Sequence, residues 1–321
     1  MSQDTISPKV TVCVPVYNVE HYIQRCITSL QTQTLKDIEI IVVDDCSPDL
    51  SGRIVEDLAT SDDRISIIRH QKNIGPARAR ETAYKKAKGD YVTFCDGDDA
   101  LPPNALETLY HNAVEQSADI VSGNMSFIHL DGTSSVLLSV LKYGSKPIAV
   151  YQSLLRFEFR HNLCSKLFKT ALLQDYVYDT RDYFTHGEDG FLFYQIVQNA
   201  SKTIQIDDIV YHYHQNLQSS SNVNLSFHAL ESVIVANTGR VKACSHYPEL
   251  TKDLQRAELS VMSSVFRNSH GQRKELKKLI KEYGLYRFIS LKSIITCGNW
   301  RLMLKALYYI HLKGIPTLLS F

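Results

Sequence analysis

The sequence predicts an α/β fold: a mixed sheet flanked by helices, with a C-terminal region of helices alone. Three observations predict it. Short β-branched runs alternate with helical patterns through residues 9–94, the mark of parallel strands joined by right-handed helical crossovers. Acids stand where those runs end, at 44–49 and again at 96–99, and ligands of open α/β sheets bind outside the carboxyl ends of the strands. From residue 225 onward no strand pattern recurs.

The first strand is expected over 9–16, where Val10, Val12, Cys13 and Val14 supply the apolar content. So short a β-branched run suits a strand buried on both faces. Pro15, Val16, Tyr17 and Asn18 end it. Tyr22, Ile23, Cys26, Ile27 and Leu30 then recur at helical spacing across 19–32. Ile40, Ile41, Val42 and Val43 mark a second strand over 39–44, and Asp49 or Ser51 is expected to cap a helix over 53–60. After a third strand at 65–69, Asn73, Ile74, Gly75 and Pro76 turn the chain into an alanine-rich helix over 77–88. Gly89 and Asp90 stop that helix, and Tyr91, Val92, Thr93 and Phe94 form the next strand. A helix over 103–116, a strand over 119–123 and a hairpin over 125–138, turning at Asp131 and Gly132, follow. The regular alternation ends there. Residues 151–159 read as a helix, 162–169 as a short strand or turn, and 204–213 as a last strand. Glu188 and Asp189 precede the helical pattern Phe191, Leu192, Tyr194, Ile196 and Val197. The expected division is a first domain over 1–222 and a basic, amphipathic helical region over 223–321, joined near 221–224.

A chain of 321 residues, 44% hydrophobic and 21% charged, has the composition of a globular protein. Its net charge of +1 hides an asymmetry. Residues 267–321 carry eleven Lys or Arg against two Asp or Glu, a net of +9, which leaves −8 for the rest. A basic tail on an acidic body points to an anionic membrane surface as the tail's partner, and not to nucleic acid. The competing reading is a helical cap docked on the first domain, or an oligomer contact. The seven cysteines form no Cys-x-x-Cys pair, and Cys13 and Cys95 lie in apolar runs, as in a reducing compartment. The first residues are polar, without an apolar leader. No run reaches the roughly 20 apolar residues of a membrane span; the nearest, over 302–321, is broken by Lys305 and Lys313. The expected location is cytoplasmic, peripheral on the cytosolic face of the membrane.

Asp96, Asp98 and Asp99, packed around Gly97 directly after an apolar strand, repel one another unless something positive sits among them. Hard Mg²⁺ or Mn²⁺ takes oxygen ligands and shares them with a substrate's phosphates. A solvated acidic turn competes with this reading, but Leu101, Pro102 and Pro103 open a helix immediately afterwards. For Glu188 and Asp189 the competing reading is a helix N-terminus that favours acids.

Six motifs now stand in order: Pro15-Val16-Tyr17-Asn18; Val43-Asp44-Asp45 with Ser47 and Asp49; Asn73 and Gly75 with Arg80; Gly89-Asp90-Tyr91; Asp96-Gly97-Asp98-Asp99; and Glu188-Asp189. In them residues 8–221 resemble the family-2 glycosyltransferases of bacterial surface-polysaccharide type, which have the Rossmann-like GT-A fold. The resemblance implies a nucleotide-sugar donor, a UDP-sugar first of all, a glycan or lipid-linked acceptor, and a Mn²⁺ or Mg²⁺ cofactor. It places Pro15, Tyr17, Asp45, Arg80, Asp96, Gly97 and Asp98 at the donor. Tyr17 stacks on the base unless it is a core tyrosine; Asp45 accepts the uracil imide proton; Asp98 and Asp96 hold the metal with Asp99 as helper. Asp189 is then the base that deprotonates the acceptor, beside Glu188, in a single displacement with inversion. The sequence departs from the family pattern at Cys46 and Pro48, at Glu81 and Ala83, and at Tyr213-His214-Gln215, where many relatives carry an Arg. His214 or His212 is the candidate replacement there, toward the diphosphate or the metal. A nucleotidyltransferase is the second reading, without the glycine-rich loop that sugar-nucleotide-forming members carry after the first strand. A catalytically silent nucleotide-sugar-binding or scaffold protein is the third.

Overall fold

The computed structural model describes residues 7–173, 176, 186–217, 226–269, 272–295 and 297–312. In chain order the first half runs β1 (Val10–Val16), α1 (Ile23–Gln31), β2 (Ile38–Asp44), α2 (Ser51–Ala59), β3 (Ile65–Arg69), α3 (Pro76–Tyr84), β4 (Tyr91–Phe94), α4 (Ala105–Glu115), β5 (Ile120–Ile128) and β6 (Ser134–Leu137). Then come α5 (Pro147–Leu155), β7 (Lys166–Lys169), α6 (Glu188–Asn199) and β8 (Thr203–His214). The helices α7 (Phe227–Cys244), α8 (Thr251–Arg267), α9 (Arg273–Glu282), α10 (Tyr286–Ile289), α11 (Leu291–Ile295) and α12 (Trp300–Ala306) complete it.

Among the described residues, eight strands form one mixed sheet, in the order β3-β2-β1-β4-β7-β5-β6 with β8 paired to β5. The β3-β2-β1-β4 half is parallel throughout, as the alternating pattern requires. β7 enters antiparallel between β4 and β5. β8 runs parallel to β5, with register shifts near Asn124. The 125–138 hairpin forms, turning at Gly132 with φ +81°, but its first strand is the uninterrupted continuation of the 119–123 strand.

Val10, Val12, Val14 and Val16 of β1 pack with α1, α2 and α4 on one face of the sheet. Cys13, Ile41, Val43 and Phe94 face α3, α5 and α6 on the other. Ala77, Ala79 and Ala83 give α3 an inner side of small residues, all buried against β1 and β2. The expected cap of α2 does not form: Leu50 holds the N-cap position and makes no side-chain cap bond. Asp49 accepts from the Ser51 N–H at 3.1 Å, at the first residue of α2, and from the Glu20 N–H at 2.9 Å, and Ser51 Oγ accepts from the Val19 N–H at 2.9 Å. Those two side chains tie the loop after β1 to the start of α2.

The expected boundary near 221–224 lies outside the described residues. On either side of it, α7 packs along α6, and one apolar cluster continues from Phe94 and Phe193 through Phe266 to Ile310. That corrects half of the membrane expectation for the tail. Leu276, Ile280 and Ile310 are fully buried, and Leu279, Leu302 and Leu307 pack partly buried on the same core. The apolar stripe of α9 therefore docks on the body. Leu291, Ile295 and Leu304 remain exposed. No helix of the described residues is long and apolar enough to cross a membrane.

Candidate active site

The parallel strands end on one side of the sheet, and a cavity of about 540 Å³ opens there. Of the residues singled out in the sequence, it is lined by Pro15, Tyr17, Asp45, Arg80, Asp96, Gly97, Asp98, Glu188 and Asp189. Asp99 and His214 are not among its lining residues.

Each side chain is delivered by a local device. Gly75, at φ +90°, precedes Pro76 in the first turn of α3, where proline's missing N–H leaves no bond unmade. The turn aims the Gly75 N–H at Asp45 Oδ2 (2.8 Å) and the Ile74 N–H at the same carboxylate, while His70 Nδ1 bonds Asp45 Oδ1 at 2.7 Å. Asp45 is thus the buried anchor of the loop that leads into α3. Cys46 has φ +61°, the left-handed conformation that glycine adopts most easily, which accounts for the glycine of the family pattern here. Tyr17 is 47% exposed at the cavity, so the core-tyrosine reading fails.

One turn into α3, Arg80 reaches the centre of the site with its side chain 5% exposed. Its Nη2 donates to Asp96 Oδ1 at 2.8 Å and its Nη1 to Glu188 Oε1 at 3.1 Å, with Asp189 Oδ1 3.2 Å from Nη1. Burial works against the guanidinium's charge, but Asp189, Asp96 and Glu188 more than offset it, and its pKa rises well above the usual value.

Glu188 and Asp189 open α6, but neither caps it, since Gly187 at φ +82° holds the N-cap position. A Cβ on Gly187 would lie 2.7 Å from Ala236 Cβ of α7, so the site helix and the tail meet where only glycine fits. Both acids turn inward. Asp189 Oδ2 accepts from the Leu163 N–H at 3.2 Å. Burial raises the carboxyl of Asp189, against the pull of Arg80. Burial, followed by repulsion from Asp189, raises Glu188 to about 7.

The acidic loop divides its labour. Asp98 accepts from Asn216 Nδ2 at 2.9 Å, and burial beside Asp96 raises its carboxyl. Asp99 is sequestered: Tyr211 Oη donates to its Oδ2 at 2.7 Å and the His214 N–H to its Oδ1 at 2.8 Å. Tyr211 Oη also accepts from the Asp96 N–H at 3.1 Å. The expected helper at the metal instead fastens the loop to β8: it is buried, bonded through both oxygens to β8, and does not line the cavity. His214 serves through its backbone, and burial lowers its imidazole to about 4. Gly97 fits tightly: a Cβ there would lie 3.1 Å from Val19 Cγ2 and 3.3 Å from the Pro15 carbonyl.

Several cavity residues gave no sequence signal, Asn216, Asn162 and Cys164 among them. Asn216 joins Asp98 to Tyr22 Oη (3.3 Å), and the Cys164 thiol donates to Asp96 Oδ2 at 3.4 Å. Of the departures from the family pattern, Glu81 pairs with Arg78 and Lys85, and Ala83 packs in the core. Tyr213 lines the cavity.

The family model described as "Glycosyl transferase family 2" matches residues 11–178. The chain belongs to this family. Glycosyltransferase GlyA of Streptococcus pneumoniae is 35% identical over 227 residues, 68% of this chain and 32% of GlyA. A poly(ribitol-phosphate) beta-glucosyltransferase of Bacillus spizizenii is 29% identical over 272 residues, 82% of this chain and 40% of that enzyme. The chain thus spans about a third of the length of GlyA. Residues 1–349 of S. aureus TarS in complex with UDP superpose with a TM-score of 0.64 at 20% identity, covering 94% of this chain and 88% of that one. The fold of this family-2 glycosyltransferase is accordingly GT-A.

The raised Glu188 carboxyl has a consequence for stability. An acid whose folded pKa lies above its unfolded value stabilises the fold below the unfolded pKa, and loses that contribution as pH rises through the folded one. For Glu188 the window runs from the ordinary value of 4.5 to about 7. Glu188→Gln should therefore raise the melting temperature of the ligand-free protein at pH 8, by the equivalent of about 3 kcal/mol. The difference should vanish below pH 4.5. Melts of the two proteins across this range check it, and a variant destabilised equally at all pH values would contradict it.

Proposed function

We propose that this chain is an inverting, metal-dependent glycosyltransferase that moves a hexosyl or N-acetylhexosaminyl group from a UDP-sugar to a glycan or lipid-linked acceptor in cell-surface polysaccharide synthesis. The observation that carries the reading is the convergence of Asp96, Asp98, Glu188 and Asp189 on one cavity around Arg80. The exposed Tyr17 ring offers a stacking face for the base. Asp45 accepts the uracil imide proton on a carboxylate already oriented by the Gly75 N–H at Oδ2 and by His70 Nδ1 at Oδ1.

Asp98 and Asp96 fit a hard cation. Both carry oxygen donors, and burial with mutual repulsion raises the Asp98 carboxyl, a repulsion that a positive ion would relieve. Among the described residues no three His, Cys, Asp or Glu side chains form a complete metal site, so donor phosphates would supply further oxygens. When bound, Mn²⁺ or Mg²⁺ stabilises the charge that gathers on the leaving diphosphate.

The residues then divide the reaction. Arg80 and the Leu163 N–H hold Asp189 in place. The acceptor oxygen attacks the anomeric carbon, and its proton passes to Asp189. The bond from that carbon to the diphosphate oxygen breaks, its electron pair leaving with UDP. Attack opposite the leaving group turns an α-linked donor into a β-linked product. The poly(ribitol-phosphate) beta-glucosyltransferase named above is in keeping with such an outcome.

The tail keeps a membrane role through what it leaves outside. Tyr286, Leu291, Ile295 and Leu304 are exposed on α10, α11 and α12, in helices that also carry Arg287, Lys292 and Arg301. Apolar side chains among basic ones suit an anionic membrane interface.

Two experiments follow. Asp189→Asn keeps the shape but removes the basicity, and should lower sugar transfer by about 10²–10⁴-fold while donor affinity measured by calorimetry with Mn²⁺ survives. Asp98→Asn should weaken Mn²⁺-dependent donor binding as well as turnover. Near wild-type transfer by Asp189→Asn would move the base elsewhere, with Glu188 tested next. For the membrane, the full chain should partition onto vesicles rich in anionic lipid and be released by salt. The double variant Leu291→Ser, Ile295→Ser should bind them more weakly, and equal binding would count against this face.

A further inference from the structure

Lys166, at the start of β7, is wholly buried, and the reaction as described does not use it. A buried lysine needs partners to keep its charge. Its Nζ lies 5.4 Å from the Phe159 ring centroid and 5.2 Å from that of Phe193, on α6, positions in which ring faces attract a cation. Its ammonium donates to Asn162 Oδ1 at 3.2 Å.

Asn162 passes that bond forward. Its Nδ2 donates to the Cys164 carbonyl, to Ser165 Oγ (3.3 Å) and to Met125 Sδ (3.4 Å). It thereby pins a turn in which Ser165 sits at φ +61°. From this turn the Leu163 N–H reaches Asp189, and the Cys164 thiol reaches Asp96. We propose that Lys166 is the positioning residue of the catalytic base: from behind the cavity it fixes the 162–165 turn that holds Asp189, and it places a second positive charge behind that carboxylate. This rests on Asp189 being the base.

The charges around Asp189 are few. Arg80 faces it from α3, Glu188 from its own helix, Asp96 and Cys164 from the cavity floor, and Lys166 from β7. Arg80 and Lys166 are the cations among them. Burial lowers Lys166 to about 7, with Cys164 and Asp189 opposing. The ammonium is therefore charged at the acidic pH values where a carboxylate titrates.

Lys166→Met removes the charge and keeps the bulk. In protein labelled with ¹³C at aspartate carboxyls, the signal lost in Asp189→Asn identifies Asp189, and its titration is followed by NMR. The midpoint should move up by about one pH unit in Lys166→Met, and the acid limb of UDP release from UDP-N-acetylglucosamine, with water as acceptor, should move with it. An unmoved Asp189 midpoint overturns the proposal. Should Lys166→Met not fold, Asn162→Ala decides. Cutting the link to the turn should lower turnover about 10-fold or more with donor affinity intact, and unchanged turnover overturns the proposal. Wild-type turnover in Asp189→Asn would instead sink the base assignment, while the NMR midpoint still judges Lys166 separately.

Discussion

A single guanidinium set among three carboxylates is the interaction on which the site depends. Asp96 lies in the loop just after β4, whereas Glu188 and Asp189 open α6, on the far side of an interruption in the alternating pattern. Arg80, on the helix between β3 and β4, reaches all three within 3.2 Å. Buried acids so close together would repel or take up protons, and a buried arginine without partners would be strongly unfavourable. Each side is tolerable only because of the other. The ion cluster thus joins the parallel half of the sheet, through β4 and α3, to α6.

Around this cluster the structure fixes backbone rather than adding charge. Asp99, Tyr211 and the His214 N–H fasten the acidic loop to β8, leaving Asp96 and Asp98 facing the cavity. Asp45 performs the same service for the loop into α3. In both places a buried acid orients the backbone around it, Asp99 from the core and Asp45 from the cavity wall. That arrangement suits catalysis, since groups held in place need no reorganisation during the reaction.

The sheet was legible because its cause is local: β-branched runs and helical periodicity recur over a few residues. The acids at strand ends were legible for the same reason, since Asp96 to Asp99 directly follow Phe94. The roles of individual acids were not. Nothing local separates Asp98 from Asp99; the difference is made by Tyr211, more than a hundred residues away in β8. Asn216 and Cys164 carry no periodic or charge signal, and only the folded sheet brings them to Asp98 and Asp96. The stripe Leu276 and Ile280 has a spacing that serves a membrane or a protein core equally well, and the choice is made by Phe266 and Phe288, which offer a core to pack on. The exposed Leu291 and Ile295 lie outside that packing.

The central claim is that Arg80 and the acids are one coupled unit, and a double-mutant cycle in stability tests it most directly. Denaturant unfolding at pH 8 would compare wild type, Arg80→Met, Glu188→Gln and the double variant. Arg80→Met alone should destabilise by about 3–5 kcal/mol, because it leaves buried charges unpaired. Adding Glu188→Gln should then restore more stability than the same change gives the wild type, with a coupling of at least about 1 kcal/mol. Effects that add within about 0.5 kcal/mol would mean that the guanidinium and the carboxylates are neighbours without mutual dependence, and the account would fail.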